Sequence, residues 1–183
     1  GEDFEIGTLG FNDTVESNVW GNAQYEPLGV NLALATAVHE NLHMMSSNKG
    51  NGMSRCGIMV GERNRAINEA VTEYYTFLSL GGDLPLRGLY PGTYSAYSDL
   101  RDCIPIIEGV VGASTVKEAY FKNKPELIEK KIDECLGENG WNMLSRDFEI
   151  YQYSDLEKVE GRIARGYAKE RIMKALDMLR NFI

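Results

Sequence analysis

This 183-residue chain has two histidines, and both fall in one five-residue window, His39-Glu40-Asn41-Leu42-His43. On a helix, positions i and i+4 share a face, so the two imidazoles can grip one metal ion. Glu40 then projects beside that ion, where it can take a proton from a bound water. Shuffling the chain's own composition produces this window in roughly one chain in a thousand. The constraint on the fold is strong. Residues 39–43 must be helical, and another element must return to them, because two protein ligands do not complete a site.

A structural zinc has four protein ligands, whereas a catalytic one has three plus water. With no further histidine, the remaining ligand is a carboxylate or a thiolate. The run Asn68-Glu69-Ala70-Val71-Thr72-Glu73 places Glu69 and Glu73 at i and i+4 on one helix face. It begins beyond a Gly-, Ser- and Asn-rich stretch at 46–57, long enough for a second helix to come back alongside the first.

The pair of motifs, His39-Glu40-x-x-His43 followed by Asn68-Glu69-x-x-Thr72-Glu73, resembles the gluzincin metallopeptidases, the thermolysin-like clan, whose pattern is H-E-x-x-H and then N-E-x-x-S/T-D/E. At this length the chain is similar to the minimal gluzincins. The resemblance covers residues 38–73 and implies a zincin-like catalytic domain that hydrolyses peptide bonds. It implies that His39, His43 and Glu69 bind Zn2+ and that Glu40 is the general base. It also implies that Glu73 orients a ligating histidine from outside, the usual device for fixing an imidazole tautomer. Thermolysin-like enzymes place another histidine downstream for the oxyanion, and this chain has none. Other gluzincins use a tyrosine, sometimes with an arginine. Tyr94, Tyr97 and Arg101 are the residues placed for that role, and Tyr97 and Arg101 are favoured because they share a face if helical. In this clan an edge strand before the first helix commonly aligns an extended substrate. Residues 12–25 are the stretch positioned for it, with 15–20 the core of the strand.

Composition sets the remaining bounds. A net charge of −8 argues against nucleic acid as the main partner, since phosphate binding needs a basic face. No apolar run approaches the roughly 20 residues of a transmembrane helix. Cys56, Cys103 and Cys135 form no C-x-x-C pair and read as free buried thiols, or as one disulfide with a spare. Localisation stays open between the cytoplasm, which free thiols suit, and a secreted or anchored ectodomain. Oligomeric state is not legible.

The fold expected is α+β within a single domain, 1–183. Residues 1–63 form a small strand-rich N-terminal lobe carrying the first metal-bearing helix, and 64–183 form a mainly helical lobe carrying the second. Apolar spacing places Leu32, Ala35, Thr36, His39 and His43 on one stripe of a helix at 28–46. A short strand is expected at 57–60, and the second helix at 64–80, stopped by Gly81-Gly82. Tyr74 and Tyr75 inside it read as core. Further helices are expected at 99–111, after a capping box at Thr115 and Glu118, at 125–136, and after a second box at Ser154 and Glu157. The last of these carries Leu156, Val159, Ile163, Ile172, Leu176 and Leu179, and reads as a packing helix or a partner-binding one. Two functions are therefore in play. One is a zinc-dependent endopeptidase acting on a peptide or protein. The other is an inactive, zinc-stabilised scaffold that binds a protein partner, favoured by the missing downstream histidine. An intact Glu40 favours catalysis.

Overall fold

The structure, a computed structural model, describes residues 10–13, 18–21, 30–48, 55–81 and 99–183. Helix dominates these residues, beside two small antiparallel sheets, an α+β arrangement in the broad sense. The first sheet is a hairpin of β1 (Gly10–Asp13) and β2 (Asn18–Gly21), in register Phe11 to Trp20. Both strands pack on helix α1 (Val30–Met45). The expected substrate strand at 15–20 overlaps β2 in part, and residues 14–17 lie outside the described set.

After α1 come β3 (Ser47–Asn48), β4 (Arg55–Cys56) and β5 (Met59–Val60), a three-stranded sheet in that order. Helix α2 (Arg65–Ser79) follows and packs against α1. Ala35, Ala66 and Ala70 are fully buried, and small side chains of this kind let two helix backbones approach closely. α2 begins after Asn64, which sits in the left-handed region at φ 65° and donates its amide to the Ile58 carbonyl. The Glu149 carboxylate accepts from the Ala66 backbone N–H at 2.7 Å, satisfying one of the four donors a helix start leaves open.

Among the described residues the longer helices that follow are α3 (Ile104–Val111), α4 (Ala113–Phe121), α5 (Glu126–Leu136), α6 (Gly140–Tyr153) and α7 (Val159–Arg180). One core runs through them. Trp141, Phe148 and Tyr120, the bulkiest fully buried side chains, meet Ile67 and Val71 of α2 and Ile172, Leu176 and Leu179 of α7.

The structure departs from the sequence expectations at several boundaries. Residues 99–101 are helical, but the chain turns at 102–103 and restarts as α3, with Pro105 in its first turn. Proline lacks an N–H and its ring clashes with the carbonyl four residues back, so one continuous helix at 99–111 cannot form. α4 starts at Ala113, two residues before the expected box. Gly112, at φ +94°, makes the turn there, and Thr115 makes no side-chain cap. Ser154 ends α6 rather than opening α7, because its hydroxyl bonds back to the Ile150 carbonyl. Helix α6 itself was not expected. The apolar stripe expected of the last helix is divided: Ile172, Leu176 and Leu179 are buried, whereas Val159 and Ile163 are exposed, as is Leu156, which lies before the helix starts. Among the described residues no helix is long and apolar enough to cross a membrane.

Candidate metal centre

α1 presents His39 and His43 one turn apart, their rings edge to face with centroids 4.8 Å apart. α2 brings Glu69 between them. His39 Nε2 lies 3.2 Å from Glu69 Oε2, His43 Nε2 lies 3.3 Å from the same oxygen, and the two Nε2 atoms are 3.1 Å apart. The three atoms form a nearly equilateral triangle. Donor atoms this close together could all reach one small ion such as zinc, with His39, His43 and Glu69 as its ligands. The donor set fits, and among the described residues no fourth His, Cys, Asp or Glu joins the group. This group of side chains could hold a metal ion.

The electrostatics agree. Two imidazole nitrogens facing each other at 3.1 Å repel unless a cation or a proton lies between them. In the metal-free protein a proton shared between them can do this. Burial alone would lower the His39 pKa, but hydrogen bonds to Glu69 and Glu73 overcome it and push it up to about 9. His43 is likewise raised well above its ordinary value, burial being outweighed by the Glu69 charge and by hydrogen bonds to Cys56 and Glu69. Burial would raise the Glu69 carboxyl, yet the neighbouring histidines hold it well below the usual carboxylate range. A pocket that raises both imidazoles and depresses the carboxylate between them is one that favours positive charge.

Around this triangle stands a layer of orienting contacts. His39 Nδ1 donates to Glu73 Oε2 at 3.3 Å, and Glu73 is 1 % exposed. In the neutral ring that bond keeps the proton on Nδ1 and leaves the Nε2 lone pair free for a metal ion. Glu73 Oε1 has no hydrogen-bond partner among the described residues. His43 Nδ1 lies 3.4 Å from the Cys56 thiol.

Asn68 ties the second motif to the sheet, its Oδ1 accepting from the Ile58 N–H at 3.0 Å. Gly57 makes this possible. It sits at φ +58°, and a Cβ there would lie 2.1 Å from Asn68 Oδ1 and 2.6 Å from the Tyr120 ring. Thr72 donates to the Asn68 carbonyl at 2.9 Å, and its oxygen can accept from the Tyr120 hydroxyl at 2.7 Å. From the end of α4, Asn123 donates to the carbonyls of Ser46 and Gly57, clasping the end of α1 to the β4–β5 turn.

Glu40 is buried, at 8 % exposed, on the turn of α1 that carries both histidines. Tyr94 and Tyr97 lie outside the described residues. Arg101 is buried, with its guanidinium donating to Asp102 at 2.7 Å and stacked 4.7 Å from the Phe77 ring centre. Phe77 is eight residues along α2 from Glu69, about 12 Å of helical rise. Tyr75 is buried and Tyr74 partly so, and both hydroxyls donate to Glu108. The residues that sequence reasoning left without a role are Asn68, Gly57, Cys56, Tyr120 and Asn123. Asn68 stands in the second motif and Gly57 in a turn-rich run, which are usable signals. The other three carry none, since they reach the site only through the folded sheet and α4.

Compared with protein-family models, with curated proteins and with solved structures, the chain finds no match, so the chemistry of the site is read from its own residues.

Proposed function

We propose that this chain is a zinc-dependent endopeptidase of the gluzincin type, with His39, His43 and Glu69 as the metal ligands. The observation that carries the reading is the triangle of two Nε2 atoms and one carboxylate oxygen with edges of 3.1–3.3 Å. Two imidazoles and one carboxylate with a position to spare are the donor set of a catalytic zinc rather than a structural one, which is closed by four protein ligands. When bound, zinc supplies a Lewis acid that polarises the scissile carbonyl and acidifies a water.

The protein's own residues do the rest. Glu73 holds the His39 proton on Nδ1, keeping Nε2 available. The Glu40 carboxylate takes a proton from the attacking water as its oxygen bonds to the scissile carbon. Glu40 then passes that proton to the leaving amine nitrogen as the C–N bond breaks. For the oxyanion, Tyr97 is the proposed donor, with Arg101 the alternative. As placed, the Arg101 charge is met by Asp102, so the arginine would have to leave that partner to serve. The β1–β2 hairpin packs on α1 and offers backbone for an extended peptide to pair with.

A second reading is favoured by the lack of any histidine outside the pair: a zinc-stabilised scaffold that binds a partner without turnover. Glu40→Gln separates the two. It keeps size and hydrogen bonding but removes the base, so zinc binding and fold should survive while cleavage of a diverse peptide library falls by 10²-fold or more. A zinc-loaded parent protein that cleaves nothing in that library supports the scaffold. Undiminished cleavage by Glu40→Gln removes Glu40 from the chemistry.

A further inference from the structure

Each ligating imidazole needs its second nitrogen committed, and the two histidines meet different partners. His39 has Glu73. For His43, the partner the structure gives Nδ1 is the sulfur of Cys56 at 3.4 Å, within reach for a sulfur acceptor. Both groups are buried, His43 at 6 % and Cys56 at 6 % exposed. The thiol's own proton has somewhere else to go: Cys56 Sγ is 3.4 Å from the His43 carbonyl oxygen and 3.8 Å from Ser46 Oγ. The sulfur can therefore donate S–H to one of these oxygens while its lone pair accepts the Nδ1–H of His43. The opposite assignment, S–H donating to Nδ1, would put the ring proton on Nε2, the atom that faces Glu69.

We propose that Cys56 is a positioning residue for His43, accepting its Nδ1–H so that Nε2 presents a lone pair to the metal. This inference rests on the metal-centre reading above. It gives β3 and β4 a purpose: their register, Ser47 to Cys56 and Asn48 to Arg55, returns the chain so that Cys56 stands beside the last turn of α1. Asn123 locks the arrangement through the Ser46 and Gly57 carbonyls on either side. The sulfur is on the far edge of the ring from Nε2, so it orients the ligand and does not join the ligand set.

The test uses the full chain and zinc ion alone, titrated against a competing chelator, with the parent protein, Cys56→Ala and Cys56→Ser. Cys56→Ala should bind zinc 10–100-fold more weakly, the range for losing such an outer partner. Cys56→Ser, which restores an acceptor, should return to within about threefold of the parent. Alongside, ¹⁵N spectra of the two histidines in metal-free protein, at a pH where both are neutral and the Cys56 sulfur, its pKa lowered against burial by the hydrogen bond to His43, accepts as the thiolate, should show His43 as the Nδ1–H tautomer. In Cys56→Ala the His43 signal should move toward Nε2–H, while His39, held by Glu73, stays put. Parent-like zinc affinity in Cys56→Ala overturns the proposal. So does an Nε2–H tautomer for His43 in the parent, or a sulfur-to-metal charge-transfer band in cobalt-loaded protein that Cys56→Ala removes. A parent that binds no zinc overturns the metal-centre reading, and the tautomer spectra, taken without metal, still decide the role of Cys56.

Discussion

At pH 8, zinc binding to the metal-free protein should release about one proton per ion from His39 alone. A histidine at its ordinary pKa near 6.5 is only about 3 % protonated there, whereas one pushed up to about 9 is about 90 % protonated. Zinc needs the neutral ring, so each binding event expels that proton. His43, also raised, contributes up to one more, and Glu69, already ionised, contributes none. The same shift is a stability effect in the absence of metal. The folded pKa of His39 lies above its unfolded value, so the contribution is complete below pH 6.5 and is lost as pH rises through about 9. A shift from 6.5 to about 9 corresponds to about 3 kcal/mol, the same interaction that depresses Glu69 and counted once. The metal-free protein should accordingly melt roughly 6–12 °C lower at pH 10 than at pH 6 on this account. Calorimetric zinc titrations at pH 8, in buffers of different ionisation enthalpy, read the proton count directly. Release below about 0.2 proton per zinc, with zinc bound, would refute the argument that the two carboxylates hold these rings charged.

Three further substitutions test the site and its surroundings. Glu69→Gln removes the only anionic corner of the triangle and should lower zinc affinity more than Glu73→Gln, which acts through His39 by something like 10–100-fold; chelator competition that ranks them the other way reverses the two roles. Gly57→Ala should destabilise the protein by about 2–4 kcal/mol, because a Cβ at φ +58° would overlap Asn68 Oδ1 and the Tyr120 ring. Thermal denaturation should show a fall of roughly 4–16 °C, and an unchanged melting temperature would mean that the Asn68–Ile58 tie carries no strain-sensitive role.

The two central helices were legible because their apolar and ligating residues recur at helical spacing, and the structure forms them at Val30–Met45 and Arg65–Ser79. Helix α6 was missed although Trp141, Leu144, Phe148 and Tyr151 make a buried stripe. Gly137, Asn139 and Gly140 at its start are poor helix formers, and tertiary contacts decide the matter. The Asp133 carboxylate accepts from the Trp141 N–H, satisfying a helix-start donor from the preceding helix. Capping boxes misled at Thr115 and Ser154 because such four-residue patterns serve equally as interior or terminal residues once glycine or an Asx turn sets the boundary. At the second of these, Asp155 accepts from Glu157 N–H and α7 begins only at Val159. The contact of Cys56 with His43 could not be read from spacing at all, since it depends on the register of β3 with β4. Likewise, nothing in the sequence says that Arg101 meets Asp102 and Phe77.

The central claim is that His39, His43 and Glu69 form one metal-binding triangle, and anomalous diffraction at the zinc edge from zinc-loaded crystals tests it most directly. The account predicts one strong peak per chain, about 2.0–2.2 Å from His39 Nε2, His43 Nε2 and a Glu69 carboxylate oxygen. A peak elsewhere in the chain, or none at this triangle in protein shown to be folded, would contradict it.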